Sequence, residues 1–274
     1  MTNLLLAAVL AATFTTNQGK AVQLTFPNEA GVRSIEMKWQ GKTVPFVLLK
    51  DSWITVVGVD LDIKPGDHPG DVLVTRADGR METRSTTIRV ESTNFPTTEL
   101  QVEERFVQLN PADQTRSGRE AQEISKIFGV VTPEILWDKP FSAPIPGGRG
   151  ANFGHRRVFN GEPRAPHNGA DLRAQTGTPI RSTNRGRVVM AKNLFFTGNT
   201  VIVDHGLGIY SLYAHLSRID ARLNAIIENG QQVGLAGATG RVTGPHLHWG
   251  IRVQGARVDP FSLVNMASSS LGAN

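Results

Sequence analysis

Short apolar runs separated by turns dominate the first hundred residues. Between residues 22 and 112 they alternate with polar positions and end at Gly-Lys, Lys-Pro-Gly-Asp and Asp-Gly turns. Strands at this spacing favour a small β-sandwich. The runs that we interpret as strands are 44–49, 53–57, 71–75 and 86–90. The loop around His68 is rich in Pro and Gly, so it predicts an ordinary turn and not a metal site.

A helical segment and a Pro-rich stretch follow the predicted sandwich. Ser117 precedes Glu120 by three residues, which is the spacing of a capping box, so we predict a short helix over 117–128. The stretch 133–150 is rich in Pro and Gly. Together these segments indicate a solvated connector with few contacts across it, and the second domain should therefore fold without the first.

The apolar run at residues 4–12 reads LLLAAVLAA. It is too short to span a bilayer, but it has the length of a signal-peptide core. We therefore predict a signal peptide and an exported protein of the periplasm or cell envelope; a buried N-terminal strand or helix is the alternative. The resulting boundaries are 1–21 for the signal peptide, 22–112 for the sandwich, 113–136 for the helical connector and 137–274 for the second domain.

The amino-acid composition excludes several kinds of functional site. The chain of 274 residues has no cysteine, which excludes disulfides, thiolate zinc sites, iron–sulfur clusters and cysteine nucleophiles. Residues 151–274 hold 13 Lys and Arg against 6 Asp and Glu, whereas the remainder holds 16 against 18. This basic half favours a polyanionic partner such as bacterial cell wall, although a solvated basic surface without a partner fits equally well. Its arginines are scattered and lack interleaved aromatic residues, so we expect no nucleic-acid partner.

Histidines and one carboxylate recur in the second half at turn-flanked positions. His167 and Asp171 form an H-x-x-x-D in a loop that enters a predicted strand, and His215 ends an alternating run. His246 and His248 follow a Gly-Pro turn, and in a strand they would share one face. An isolated H-x-H is more often a polar edge strand whose histidines have no chemical role. Taken together, however, the residues predict a zinc site, because catalytic Zn²⁺ takes three protein ligands and a water whose pKa falls to about 7.

The segments HNGAD, YAHLS and GPHLHWG, preceded by FGHRR, resemble the signature of the lysostaphin/LytM-type family of zinc metallopeptidases, which cut peptide bonds in bacterial peptidoglycan. The resemblance covers about residues 137–262, and the predicted sandwich resembles the accessory domain of some Gram-negative members. It implies a mostly β protein whose C-terminal domain is an antiparallel β-sheet with a groove-shaped zinc site. It also implies one Zn²⁺ per chain, and the implied roles are metal ligation for His167, Asp171 and His248 and catalysis for His215 and His246.

Two functions stay open at this point. The first is a zinc endopeptidase that acts on peptidoglycan stem peptides as a monomer, with other cell-envelope proteins as further partners. The second is a catalytically silent module of the same fold that binds cell wall or regulates an amidase. For the other polar residues we expect a structural hydrogen-bonding role for His205, surface or groove contact for His155, and packing within the sheet for Tyr213.

Overall fold

The computed structural model describes residues 12–150 and 152–266, and most of the elements are β-strands. The strands of the first half are β1 (Thr13–Asn17), β2 (Ala21–Pro27), β3 (Val32–Trp39), β4 (Lys42–Pro45), β5 (Val47–Leu49), β6 (Ser52–Gly58), β7 (Gly66–Arg76), β8 (Met81–Glu91) and β9 (Thr97–Leu100). Those of the second half are β10 (Arg156–Phe159), β11 (Glu162–Arg164), β12 (Ala170–Arg173), β13 (Pro179–Arg181), β14 (Gly186–Leu194), β15 (Gly198–Gly206), β16 (Ile209–Ile219), β17 (Ile226–Ile227), β18 (Gln232–Ala236), β19 (His246–Val253) and β20 (Ala256–Val258). The helices are α1 (Pro111–Gly129) and α2 (Pro260–Met266), with a 3₁₀ turn at Glu104–Phe106.

The first half is the predicted β-sandwich. One sheet has the order β1-β8-β7-β3-β4 and the other has the order β2-β6-β5. Both contribute to one buried apolar cluster, in which Leu24 and Val57 of the smaller sheet meet Met37 and Ile88 of the larger one. Along β3 buried and exposed positions alternate, as expected for a strand with one face on a core.

Two details of this half differ from the sequence interpretation. Strand β1 pairs in parallel with β8, so the sandwich begins ahead of the expected boundary at residue 22. The apolar run at 4–12 lies outside the described residues except for Ala12. The predicted turn at His68 is wrong, because this residue lies within β7, where its ring packs edge-on against Trp39.

Helix α1 begins earlier than the sequence interpretation placed it. Asn110 is the N-cap, and its side-chain oxygen accepts a hydrogen bond from the backbone N–H of Asp113 at 2.9 Å. Pro111 occupies the first turn, where its missing N–H is harmless. The predicted start at Ser117 is therefore wrong: this hydroxyl lies inside the helix and donates to the carbonyl of Gln114. Among the described residues, neither helix is long and apolar enough to cross a bilayer.

A large antiparallel sheet forms the centre of the second half. Its main order is β12-β19-β16-β15-β14-β17, and β13, β18 and β20 join it at the side. Three large side chains of its own strands are fully buried: Leu172, Tyr213 and Trp249. The antiparallel C-terminal sheet predicted from the sequence is thus confirmed, and its strands β12, β16 and β19 lie side by side.

The two halves pack against each other over an apolar surface. Ile54 and Val56 of β6 belong to the same buried cluster as Val253 and Ala256 of the second half. The side-chain amide of Gln254 crosses the boundary and donates to the carbonyl of Val56 at 2.8 Å. In addition, β9 pairs in parallel with β10. The expectation of a solvated connector with few contacts across it is wrong, because the halves bury apolar residues on each other.

Candidate metal centre

The register of three neighbouring strands brings the candidate site together. Strands β12 and β19 are antiparallel, and Asp171 lies directly opposite His248. On the other side of β19, Ala214 of β16 is paired with His248, so His215 follows next to the same point. His246 and His248 lie two residues apart on β19 and both line one cavity, as predicted for an H-x-H in a strand.

Three side chains converge on a single point. His167 Nε2 lies 2.9 Å from His248 Nδ1, and Asp171 Oδ1 lies 3.0 Å from the former and 2.9 Å from the latter. Within the described part of the chain, these residues form the group of histidines and carboxylates that is compact enough to hold a metal ion. Ligands at about 2.0–2.1 Å in a tetrahedral site are about 3.3 Å apart, so a zinc ion fits with a small outward movement.

The protonation states in this group suit a metal. The carbonyl of Asn152 accepts a hydrogen bond from His167 Nδ1 at 2.9 Å, which leaves the lone pair on Nε2 facing the other two groups. Burial lowers the pKa of His248 to about 4, so its imidazole is neutral at physiological pH. Burial would raise the pKa of Asp171, but the adjacent imidazoles outweigh it and hold this pKa well below its usual range. Two imidazoles and one carboxylate are the donor set of many catalytic zinc sites.

His215 and His246 line the same cavity beside this group. Their ring centroids are 4.9 Å apart, and His246 Nε2 lies 3.7 Å from Asp171 Oδ1. His215 Nδ1 lies 2.8 Å from the backbone carbonyl of Thr239, and His246 Nδ1 lies 2.8 Å from that of Gly244. In each ring the carbonyl thus engages Nδ1 and not Nε2. Burial lowers the pKa of His215 to about 3, so its imidazole is neutral at physiological pH. Its φ of 62° is a strained value for a residue with a side chain.

Two residues near the centre were missed by the sequence reasoning. Asn152 donates to Asp171 Oδ2 at 2.9 Å and accepts from the Asp171 backbone N–H at 2.9 Å. Arg157 donates to the same Oδ2 at 3.1 Å. Asn152 directly precedes the segment FGHRR and Arg157 is its last residue, but spacing alone gives no signal that they contact a carboxylate found later in the chain.

Close packing explains why the HNGAD segment has a glycine at residue 169. A Cβ at this residue would lie 2.6 Å from the carbonyl oxygen of Trp249 and 2.8 Å from the ring of His248. Real Cβ atoms do not approach so closely. A side chain here would therefore displace His248 or the backbone of β19, and glycine is needed for β12 to approach the site.

The remaining polar residues have structural positions. His205 is buried, with Nδ1 2.8 Å from the carbonyl of Arg185 and Nε2 2.8 Å from the hydroxyl of Ser211. Tyr213 is buried in the sheet, as expected. His155 is half-buried, and its Nδ1 lies 2.7 Å from the hydroxyl of Thr98 on β9. It therefore contacts the first half of the chain instead of the cavity.

The cavity beside the three converging side chains has a volume of about 390 Å³. Its walls come from both halves of the molecule, because Leu100 and Val102 of the first half face residues of the second. The second half adds two aromatic rings, Phe159 and Phe196, and several arginines. The cavity thus combines the candidate metal group with an apolar and positively charged wall.

Comparison with known proteins identifies the family. The model of peptidase family M23 matches residues 165–260, which contain the three converging side chains and His215 and His246. A solved structure from Pseudomonas aeruginosa, assigned to peptidase M23, is 31% identical; the match covers 91% of this chain and 95% of that one, with a TM-score of 0.67. This chain belongs to peptidase family M23. Membership of the M23 family and the donor set described above bear out the predicted Zn²⁺ cofactor.

Curated relatives with peptidase names match less than half of this chain. The peptidoglycan DD-endopeptidase ShyA of Vibrio cholerae is 42% identical over 121 residues, which is 43% of this chain and 28% of the relative. The DD-carboxypeptidase/endopeptidase Mpg of Neisseria meningitidis is 38% identical over 97 residues, or 35% of this chain and 22% of the relative. The chain spans about a quarter of the length of these curated relatives.

Proposed function

We propose that this M23 protein is a zinc-dependent endopeptidase that hydrolyses peptide cross-links in bacterial peptidoglycan outside the cytoplasm. The observation that carries the proposal is the meeting of His167, Asp171 and His248 within 3.0 Å of one another, beside two further imidazoles on one cavity. Relatives with peptidoglycan endopeptidase names support the choice of substrate.

In this proposal, His167, Asp171 and His248 are the metal ligands. Bound zinc supplies polarisation of the scissile carbonyl and a water of pKa about 7. Asn152 and Arg157 hold the carboxylate of Asp171 from the side opposite the imidazoles, and so fix its orientation.

His215 and His246 perform the proton transfers. Each ring lies at a cavity wall, with Nδ1 held by a backbone carbonyl and Nε2 available. One of them accepts a proton from the attacking water, and the pair then stabilises the oxyanion and returns a proton to the leaving amine. Intact imidazoles at both positions favour an enzyme over a catalytically silent module.

Digestion of purified peptidoglycan sacculi tests this function. The full chain loaded with zinc should release muropeptides whose masses identify hydrolysis of a peptide cross-link. Protein stripped with a chelator should release none, and zinc should restore the activity. Zinc-loaded protein that binds sacculi but releases no cross-link products would instead identify a silent binding module.

A further inference from the structure

One arginine of the cavity wall is held by two aromatic rings. The guanidinium carbon of Arg241 lies 4.7 Å from the ring centroid of Phe159 and 4.4 Å from that of Phe196. Its backbone N–H donates to the carbonyl of Phe196 at 2.8 Å. Stacking on aromatic faces fixes a guanidinium while its N–H edge stays open for hydrogen bonds.

No neighbour that the structure describes neutralises the positive charge of Arg241. Arg157 and Arg164 line the same cavity, but Arg157 donates to Asp171, and Arg164 donates to Glu162. Among the described residues, Arg241 forms no ion pair, and the charges that act on it are those of the other two arginines. Burial and these two charges lower the pKa of Arg241 to about 10, so it is still a cation at neutral pH.

A half-buried cation among like charges is unfavourable unless an anion joins it. The guanidinium fork matches a carboxylate in two parallel hydrogen bonds. We propose that Arg241 binds a free carboxylate of the peptide substrate near the scissile bond, and that it thereby selects acidic cross-linked peptides. The inference rests on the proposed function, because Arg241 and the five residues of the proposed active site line one cavity.

A cross-linked peptide can present this carboxylate in two ways. It can be the C-terminal carboxylate of the strand beyond the scissile bond, or a side-chain carboxylate of the residue that forms the bridge. Both present the same planar anion, so substrates that lack one or the other distinguish them.

The test uses the zinc-loaded full chain and three synthetic cross-linked peptides. One peptide is unmodified, the second has an amide at the bridging side chain, and the third has an amide at the C-terminus. Dissociation constants from calorimetry and kcat/KM values are measured for the wild type, Arg241→Gln and Arg241→Lys. Arg222→Gln is the matched control: Arg222 is exposed and does not line this cavity, and the substitution removes the same charge.

We expect amidation of one carboxylate to weaken binding to the wild type about 10- to 100-fold, the range for a hydrogen bond to a charged group. Arg241→Gln should lose the same factor on the unmodified peptide and show no further loss on that amidated peptide. Arg241→Lys should lie between the two proteins, since it keeps the charge without the fork. Arg222→Gln should match the wild type. The carboxylate that Arg241 binds is the one whose amidation abolishes the difference in binding between the wild type and Arg241→Gln.

Equal binding of all three peptides by the wild type would overturn the inference without any variant. So would a loss in Arg241→Gln that is the same on all three peptides, because that pattern reports a structural defect. Cleavage of all three at equal rates would leave the endopeptidase function intact while the inference fails. If the wild type discriminated among the peptides in binding but cleaved none of them, the inference about Arg241 would stand and the endopeptidase function would fail.

Discussion

Asn152 holds two of the three proposed zinc ligands at once. Its backbone carbonyl accepts from His167 Nδ1, and its side-chain amide donates to Asp171 Oδ2. Neither contact involves the metal position itself. The residue therefore determines where the ligand atoms point before the ion arrives.

We expect Asn152→Ala to weaken zinc binding about 10- to 100-fold, the usual effect of losing a hydrogen bond to a metal ligand. Competition with a chelating dye measures the dissociation constant directly. Asn193→Ala is the matched control, because Asn193 is exposed on β14 and also donates its side-chain amide to another side chain, that of Asn199. An unchanged zinc affinity in Asn152→Ala would show that Asp171 needs no such support.

At this scale the sequence predicted which residues meet but not what orients them. The H-x-x-x-D and H-x-H spacings place His167, Asp171 and His248 on elements whose pairing brings them together. Asn152 and Arg157 act through contacts with a ligand distant in sequence, and Arg241 acts through two rings of separate elements. Such contacts depend on tertiary packing and leave no periodic pattern in the chain.

Among the elements, α1 shows how a local signal can be misplaced. The Ser117–Glu120 spacing fits a capping box, but Asn110 followed by Pro111 starts the helix first. A cap is useful only where backbone N–H groups lack partners. Once the helix has begun at residue 111, the backbone N–H groups after Ser117 are already bonded within it.

The helix start at Asn110 predicts a larger loss of stability at Asn110 than at Ser117. Asn110→Ala should lower the free energy of unfolding by about 1 kcal/mol, because the N–H of Asp113 loses its acceptor. Ser117→Ala should change it by less than about 0.5 kcal/mol, since alanine is a good helix former at an interior position. Urea titrations followed by circular dichroism measure both. A larger loss for Ser117→Ala would restore the helix start inferred from the sequence.

For the whole molecule, the sequence predicted two β-rich halves correctly but not their interface. Gly58, which lies against Val253 and Ala256, carries no sequence signal of this contact. A Pro-rich stretch is compatible with a linker, and only the packed structure shows that β6 covers the second half. A fragment starting near residue 131 would leave Val253 and Ala256 without this cover, so independent folding of the second half now has a physical argument against it.

A cross-domain ion pair makes this interface sensitive to pH. Arg257 donates to both oxygens of Asp60. Burial would raise the pKa of Asp60, but the hydrogen bonds from Arg257 outweigh it, and the pKa lies below its ordinary value of 3.8. The stabilisation is therefore complete above that ordinary value and is lost as the pH falls through the lower pKa of the folded state.

Asp60→Asn should lower the free energy of unfolding by about 1–3 kcal/mol near neutral pH. Its difference from the wild type should shrink as the pH falls below the ordinary pKa of 3.8. Asp62→Asn is the control: its carboxylate contacts the same arginine but is 70% exposed, so we expect less than about 1 kcal/mol. Denaturant titrations across this pH range provide the values. A difference for Asp60→Asn that does not vary with pH would mean that ionisation of Asp60 contributes nothing to the interface.

The most direct test of the proposed zinc endopeptidase compares His248→Ala with His246→Ala, by metal content from plasma emission and turnover on sacculi. His248→Ala should lose both zinc and activity, because one of three protein ligands is gone. His246→Ala should keep nearly stoichiometric zinc, yet its turnover should fall about 100-fold or more, as when an acid–base group is removed. The pair His167→Ala and His215→Ala should behave in the same way. Zinc lost in His246→Ala and kept in His248→Ala would reverse the assignment, and full activity in both variants would contradict the mechanism.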